Sequence, residues 1–160
     1  MSPARVGIGV DAHPFAEGRP LVLGGVVVPH EQGLAGHSDA DVLVHAVIDA
    51  LLGAAGLGDI GSHFPAGDER YRDADSLGLL AETARLVARA GFRVENVDSV
   101  VVAERPAIAP LRERMRERMA AALGIEDGRV SVKATTTDGM GFTGRGEGIA
   151  ATAVALLFGD

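Results

Sequence analysis

The stretch that most constrains what this chain can fold into runs from Gly36 to Gly53, with HSDADVLVHAVIDALL between the two glycines. Ser38, followed three residues later by Asp41, resembles a capping box, in which a short polar side chain accepts from the unpaired N–H groups of a first helical turn. A helix is therefore predicted to begin near Asp39. Along it Val42, Leu43, Val44, Ala46, Val47, Ile48, Leu51 and Leu52 leave almost no solvated face, which places such a helix in a core or an interface. Its one polar stripe is Asp41, His45 and Asp49, spaced i, i+4 and i+8. Burying ionisable groups costs free energy unless charge or hydrogen bonding compensates. Two readings follow: His45 ligates a metal ion, or it is a core histidine hydrogen-bonded to Asp49.

The rest of the composition narrows the classes. A chain of 160 residues, 47% hydrophobic, can build one sizeable core, and one domain over 1–160 is expected. The net charge of −7, with no Lys/Arg run interleaved with aromatics, argues against a nucleic-acid surface but not against a small anionic substrate. With no cysteine, any metal must be held by His, Asp or Glu. The opening MSPARVGIGV is too short for a secretory hydrophobic core, and no apolar run reaches membrane-spanning length, so a cytoplasmic, soluble protein is expected.

In chain order, Arg5 to Val10 reads as a first strand running into Asp11-Ala12-His13, with Pro14 predicted to stop the ladder. Positions i and i+2 of a strand point the same way, so Asp11 and His13 present a carboxylate and an imidazole side by side. Leu21 to Val28 is a second strand, interrupted at Gly24-Gly25 by a bulge or tight turn, and His30 reads as a surface histidine. After the buried helix comes a Gly- and Asp-rich loop in which Asp59 suits a carboxylate near a ligand and His63 and Phe64 suit a lid, while Glu69 to Asp75 reads as a solvated connection. Helices are predicted at Ser76 to Ala90, with Gly91 as its left-handed stop, and at Leu111 to Leu123, whose arginines and glutamates form a solvated face. Strands follow at Val94 to Ala103, Val130 to Ala134 and Ile149 to Phe158. Between the last two lies KATTTDGMGFTGRGEG, whose hydroxyls, exposed N–H groups and Arg145 suit phosphate oxygens. It has neither the Walker A nor the dinucleotide-fold spacing.

Asp11, His13 and His45 together offer one oxygen and two nitrogens, a set that leaves a tetrahedral Zn²⁺ one open position for a substrate oxygen. Three blocks, VGIGVDAH, HSDADVLVHAVIDALLGAAGLGDIG with its following FP, and VKATTTDGMGFTGRGEG, closely resemble the 2-C-methyl-D-erythritol 2,4-cyclodiphosphate synthase family of the non-mevalonate isoprenoid pathway. The blocks occur in the family's order and spacing, from the first strand to the C-terminus. The resemblance implies an α+β fold, a mixed sheet with helices packed on one face, assembled as a homotrimer around a three-fold axis with active sites at the subunit interfaces. It implies the conversion of 4-diphosphocytidyl-2-C-methyl-D-erythritol 2-phosphate to the cyclic diphosphate with release of CMP.

Carried over by position, the resemblance makes Asp11, His13 and His45 the zinc ligands, within the segment Asp11, Ala12 and His13. It makes His37 and Ser38 substrate contacts, with His37 and Thr136 as transition-state stabilisers. Asp59, Ile60 and Gly61 match the segment holding the methylerythritol hydroxyls, and Phe64, Pro65, Ala66, Gly67 and Asp68 a flap beside it. From a neighbouring subunit, Ala103, Glu104, Arg105, Pro106, Ala107, Ile108 and Ala109, with Thr135, Thr136, Thr137 and Asp138, match cytidine and diphosphate contacts, with Phe142 and Arg145 close by. Mg²⁺ or Mn²⁺ is implied as a second ion bridging the substrate's diphosphate. Asp49, one turn beyond His45, is expected to orient that imidazole.

Three departures stand out. Asp138 occupies the position of a commoner Glu, and Ala107 that of a common Lys. Val10 and Thr152 stand where relatives place a Phe and a Glu around a cavity on the three-fold axis, so an isoprenoid diphosphate is not expected to bind there. Two rival readings are a phosphoesterase that uses the same metal to activate water, and a trimeric binding module whose metal is closed off by a fourth ligand, for which His63 is the spare candidate.

Overall fold

The computed structural model describes residues 2–160 and is built on a long strand, β1, spanning Ala4–Ala16. Pro14 does not end it as predicted. Proline omits only its own donor, and with Pro14 opposite Gly148 the ladder resumes at Phe15, whose N–H donates to the Glu147 carbonyl at 3.0 Å. The chain continues through β2 (Leu21–Leu23), β3 (Val26–Val28) and β4 (Gly33–Leu34) into helix α1 (Val42–Ala55) and a short α2 (Ile60–His63). Then come α3 (Ser76–Arg89), β5 (Phe92–Val102), α4 (Arg112–Leu123), β6 (Val130–Thr135), a short α5 (Gly141–Gly144) and β7 (Gly148–Gly159). The sheet order is β4-β1-β7-β5-β6, antiparallel except for the parallel β5–β6 pair, while β2 and β3 form a separate hairpin. This is a mixed sheet in an α+β domain, and no helix among the described residues is long and apolar enough to cross a membrane.

Helix α1 lies directly on the sheet, and the sequence allows this by leaving side chains out. A Cβ at Gly9 would sit 1.9 Å from the Ala46 carbonyl oxygen, and one at Gly7 2.0 Å from that of Ala50. The strand neighbours across the ladder, Ala153 and Ala155, are buried and carry only a methyl group. Every apolar side chain of α1 is buried, as the lack of a solvated face predicts. Helices α3 and α4 extend the layer over β5 and β6, with Met115 and Met119 buried as their spacing predicts. The opposite side of β1 is bare: Val6, Ile8 and Val10 are 69%, 66% and 63% exposed.

The start of α1 corrects the capping-box reading. Asp41, not Ser38, caps the helix, its Oδ1 accepting from Val44 N at 3.0 Å, and the helix begins at Val42. Asp41 is fully buried and does more than cap: its two carboxylate oxygens also accept from Gly24 N at 2.9 Å and Gly25 N at 2.7 Å. Those two glycines, both at positive φ, make the β2–β3 turn, so one carboxylate ties hairpin to helix. Burial, helped by the charge of Asp39, pushes the Asp41 carboxyl up to about 6 against the pull of the three N–H groups. Gly53 does not bracket the helix either, which runs on to a left-handed Gly56.

Two outcomes are expected. Gly9→Ala drives a methyl into the α1 backbone and should cost roughly 2–3 kcal/mol of stability, whereas exposed Gly53→Ala, with its nearest obstacle at 4.0 Å, should gain about 0.5–1 kcal/mol; urea unfolding measures both. Asp41→Asn turns an acceptor into a donor facing an N–H and should destabilise by about 2 kcal/mol at neutral pH. The raised Asp41 carboxyl binds its proton more tightly folded than unfolded, so its contribution is fully present below pH 3.8 and is lost as pH rises through about 6. The Asn variant should therefore show a flatter stability profile across that window.

Candidate metal centre

Strand alternation puts Asp11 and His13 on the helix-facing side of β1 and turns Ala12 outward to solvent. One turn past its cap, α1 brings His45 over them. Asp11 Oδ2 lies 2.9 Å from His13 Nε2 and 3.1 Å from His45 Nδ1, and the two rings meet edge-on with centroids 5.6 Å apart. Donor atoms of the three residues all fall within 4.8 Å of one another, so the group can hold a metal ion.

The outer nitrogens fit that use. His13 Nδ1 sits 2.9 Å from the Ala35 carbonyl oxygen, which can only accept; Nδ1 therefore carries a proton and Nε2 faces the centre. His45 Nε2 sits between Ser76 Oγ at 3.0 Å and Ser38 Oγ at 3.2 Å, leaving Nδ1 inward. Burial alone would raise the Asp11 carboxyl, but hydrogen bonds and charge from His13 and His45 outweigh it and hold it down at about 2. The same bond from Asp11 raises His13 above the ordinary histidine value, despite burial.

These three side chains open onto a cavity of about 190 Å³, lined also by His37, Ser38, Ile60, Gly61, Phe64 and Ala66, all named from the sequence. Tyr71 and Leu79 line it too and were not anticipated. Tyr71 packs edge-on against Phe64 at 5.5 Å, so the connection from Glu69 to Asp75 is not merely solvated. Asp59 caps α2 through Ser62 N at 2.9 Å and stays exposed beside the cavity. His37 Nε2 meets the Asp68 carbonyl at 2.7 Å, fastening the segment Pro65, Gly67 and Asp68 to the cavity wall. Arg19, which carried no recognisable motif, donates to the Gly36 and Ser38 carbonyls at 2.5 Å each and so braces both sides of His37.

Asp49 does not orient His45. Its Oδ1 accepts from Ile60 N at 2.7 Å, so the carboxylate anchors the start of α2 to α1 and neither sequence reading of a His45–Asp49 bond holds. Burial raises its carboxyl. His63 is spoken for by the Leu57 carbonyl at 2.8 Å and is not part of the three-residue group. Nor is His30 a plain surface residue, since its ring lies 5.4 Å from that of Phe15.

The second set of residues collects elsewhere in the fold. β5 and β6 run parallel, so the loop from Ala103 through Pro106, Ala107 and Ile108 to Ala109 and the loop Thr135 to Asp138 leave the same end of the sheet, tied by Ala103 N to the Thr135 carbonyl at 3.0 Å. Neither loop, nor Phe142 or Arg145, lines the cavity of the metal centre in this chain. Glu104, Arg105 and Arg145 instead line a separate cavity of about 130 Å³ with Phe15 and His30. The glycine-rich stretch is less open than expected: α5 forms inside it, and the Thr137 and Thr143 hydroxyls bond each other at 2.9 Å. Thr135 and Thr136 remain exposed, Asp138 adopts a positive φ of 53°, and Arg145 pairs with Glu147 at 2.8 Å.

Known proteins similar to this chain in sequence and fold are many. The model of the YgbB family matches residues 4–158. The 2-C-methyl-D-erythritol 2,4-cyclodiphosphate synthase of Rubrobacter xylanophilus is 65% identical over 160 residues, covering 98% of this chain and 96% of that protein. Among solved structures, the bifunctional IspDF of Campylobacter jejuni superimposes with a TM-score of 0.96 at 41% identity; it covers all of this chain, which spans 43% of that longer one. A CDP complex of IspF from Plasmodium falciparum gives 0.87 at 30% identity, covering 100% of this chain and 99% of that one. With the family pattern matched along nearly its whole length, this chain belongs to the YgbB family.

Proposed function

We propose that this chain, as one synthase domain over residues 1–160, converts 4-diphosphocytidyl-2-C-methyl-D-erythritol 2-phosphate to 2-C-methyl-D-erythritol 2,4-cyclodiphosphate and CMP, a phosphorus–oxygen lyase reaction. The observation that carries this reading is the three-residue centre, Asp11, His13 and His45, opening onto an otherwise largely apolar cavity in a chain 65% identical to a synthase of that name. An oxygen of the 2-phosphate attacks the β-phosphorus, and the bond from that phosphorus to the bridging oxygen breaks, so CMP leaves with the bridging oxygen. Both reacting groups sit in one molecule, so the protein's task is to fold it into line and neutralise charge on two phosphates.

One oxygen and two imidazole nitrogens suit Zn²⁺, which when bound would act as a Lewis acid on the diphosphate, with Mg²⁺ or Mn²⁺ as the second ion near Asp138. His37 lies on the cavity wall beside the centre and is assigned to charge developing on the attacked phosphorus, with Thr136 as its counterpart from the other side. Asp59, Ile60 and Gly61 hold the methylerythritol hydroxyls, and the segment from Phe64 to Asp68 closes over them. The cytidine-side loops line no part of that cavity in their own chain, and β1 leaves Val6, Ile8 and Val10 bare. Both features favour a homotrimer in which a neighbouring copy completes each site. A cytoplasmic location is proposed with the pathway.

Purified protein incubated with the cytidyl substrate should release CMP and give the cyclic diphosphate by ³¹P NMR; chelation should abolish both and Zn²⁺ restore them. An open-chain product would point to water as nucleophile and overturn the cyclase reading. His37→Asn should leave metal content unchanged while cutting turnover on the order of 10²-fold. Because Asp11 raises the proton affinity of His13, metal uptake should weaken as pH falls through the histidine range, read by competition with a chromogenic chelator.

A further inference from the structure

We infer that Ser76 and Asp39 form a positioning relay that fixes the tautomer and ring angle of His45, making its Nδ1 the metal-facing donor. The chain of hydrogen bonds can be read in one direction only. Asp39 Oδ1 is a carboxylate oxygen that can only accept, and Ser76 Oγ is in close contact with it, so the Ser76 proton goes to Asp39. With its proton committed, Ser76 Oγ has only lone pairs left for His45 Nε2 at 3.0 Å. That nitrogen must therefore donate, and Nδ1, 3.1 Å from Asp11 Oδ2, is the nitrogen left facing the centre, where a metal ion would take its lone pair in place of that contact. Ser38 Oγ, at 3.2 Å, carries no such commitment: it accepts from Ala40 N, and its proton is free to point either way. The direction is thus imposed by Ser76 rather than by Ser38.

Asp39 is itself held rigidly. Its Oδ1 also accepts from Asp41 N at 3.1 Å, its Oδ2 from Ser76 N at 2.9 Å, and its own N–H donates to the Ala74 carbonyl at 3.1 Å. Both Ser76 and Thr83 of α3 are fully buried polar residues, but the Thr83 hydroxyl is satisfied within its helix by the Leu79 carbonyl, while that of Ser76 is spent on Asp39 and His45. A serine at a helix start is usually occupied with its own helix; here Asp75 performs the capping through Leu77 N, which frees Ser76 for His45.

This inference rests on the metal-centre reading under the proposed function and is tested apart from turnover. Zn²⁺ affinity of the purified chain is measured by chelator competition for the parent, Ser76→Ala, Ser76→Thr and Asp39→Asn proteins, with ¹⁵N shifts reporting the His45 tautomer in each metal-free form. Ser76→Ala should bind about 10–100-fold more weakly, with melting temperature kept and the Nε2–H form of His45 no longer dominant. Ser76→Thr, which retains the hydroxyl, should restore both. Equal affinity and an unchanged tautomer in Ser76→Ala would overturn the relay. Should Ser76→Ala fail to fold, Asp39→Asn decides on the same two readouts. A parent protein that binds no Zn²⁺ would instead sink the metal-centre reading, an outcome separate from any difference among the variants.

Discussion

The structure depends on how closely helix α1 can approach strand β1. Gly7 and Gly9 leave no room for even a methyl group between the strand and the carbonyls of Ala46 and Ala50. That closeness is what sets His45 within 3.1 Å of Asp11, since a residue neighbouring Ala46 moves with the helix backbone. Apolar burial along α1 supplies the drive for the contact, but it has no direction of its own. The missing side chains give it one.

Around that contact the polar groups of α1 divide the work by depth. Asp41, wholly buried, spends both carboxylate oxygens on backbone N–H groups and joins the hairpin turn to the helix start. His45 faces the cavity, and Asp49 reaches down to Ile60 and fixes the next loop. Three ionisable groups on one stripe thus hold three different segments against the same helix. Arg19 and Asp39 add the loop from Gly36 to Ser38 and the start of α3, so the cavity wall is assembled from pieces distant in sequence.

Much of this was legible in the residues. Strand alternation placed Asp11 beside His13, the apolar circumference of α1 predicted its burial, and the blocks around them carried a recognisable resemblance. The errors have physical reasons. The short polar side chains before α1 offered several caps, and only tertiary contact with Gly24 and Gly25 selects Asp41. Helical spacing suggested that Asp49 would serve His45, yet the same spacing lets it turn to Ile60, and nothing in the sequence reports the position of α2. Ser76, Arg19 and Tyr71 went unnoticed because their partners lie in other elements; a serine after Asp75 looks like any helix start.

The two sides of β1 live under opposite rules. Inward positions admit little beyond hydrogen or a metal-binding group, while outward ones, Val6, Ile8 and Val10, are mostly exposed within their own chain. Because successive residues alternate between these regimes, the chain can revise what its outer surface sticks to, one position at a time, without retuning the chemistry behind it. Val10 sits on that exposed side. The bare face and the metal-facing side can therefore drift on separate evolutionary clocks, though a single strand carries both.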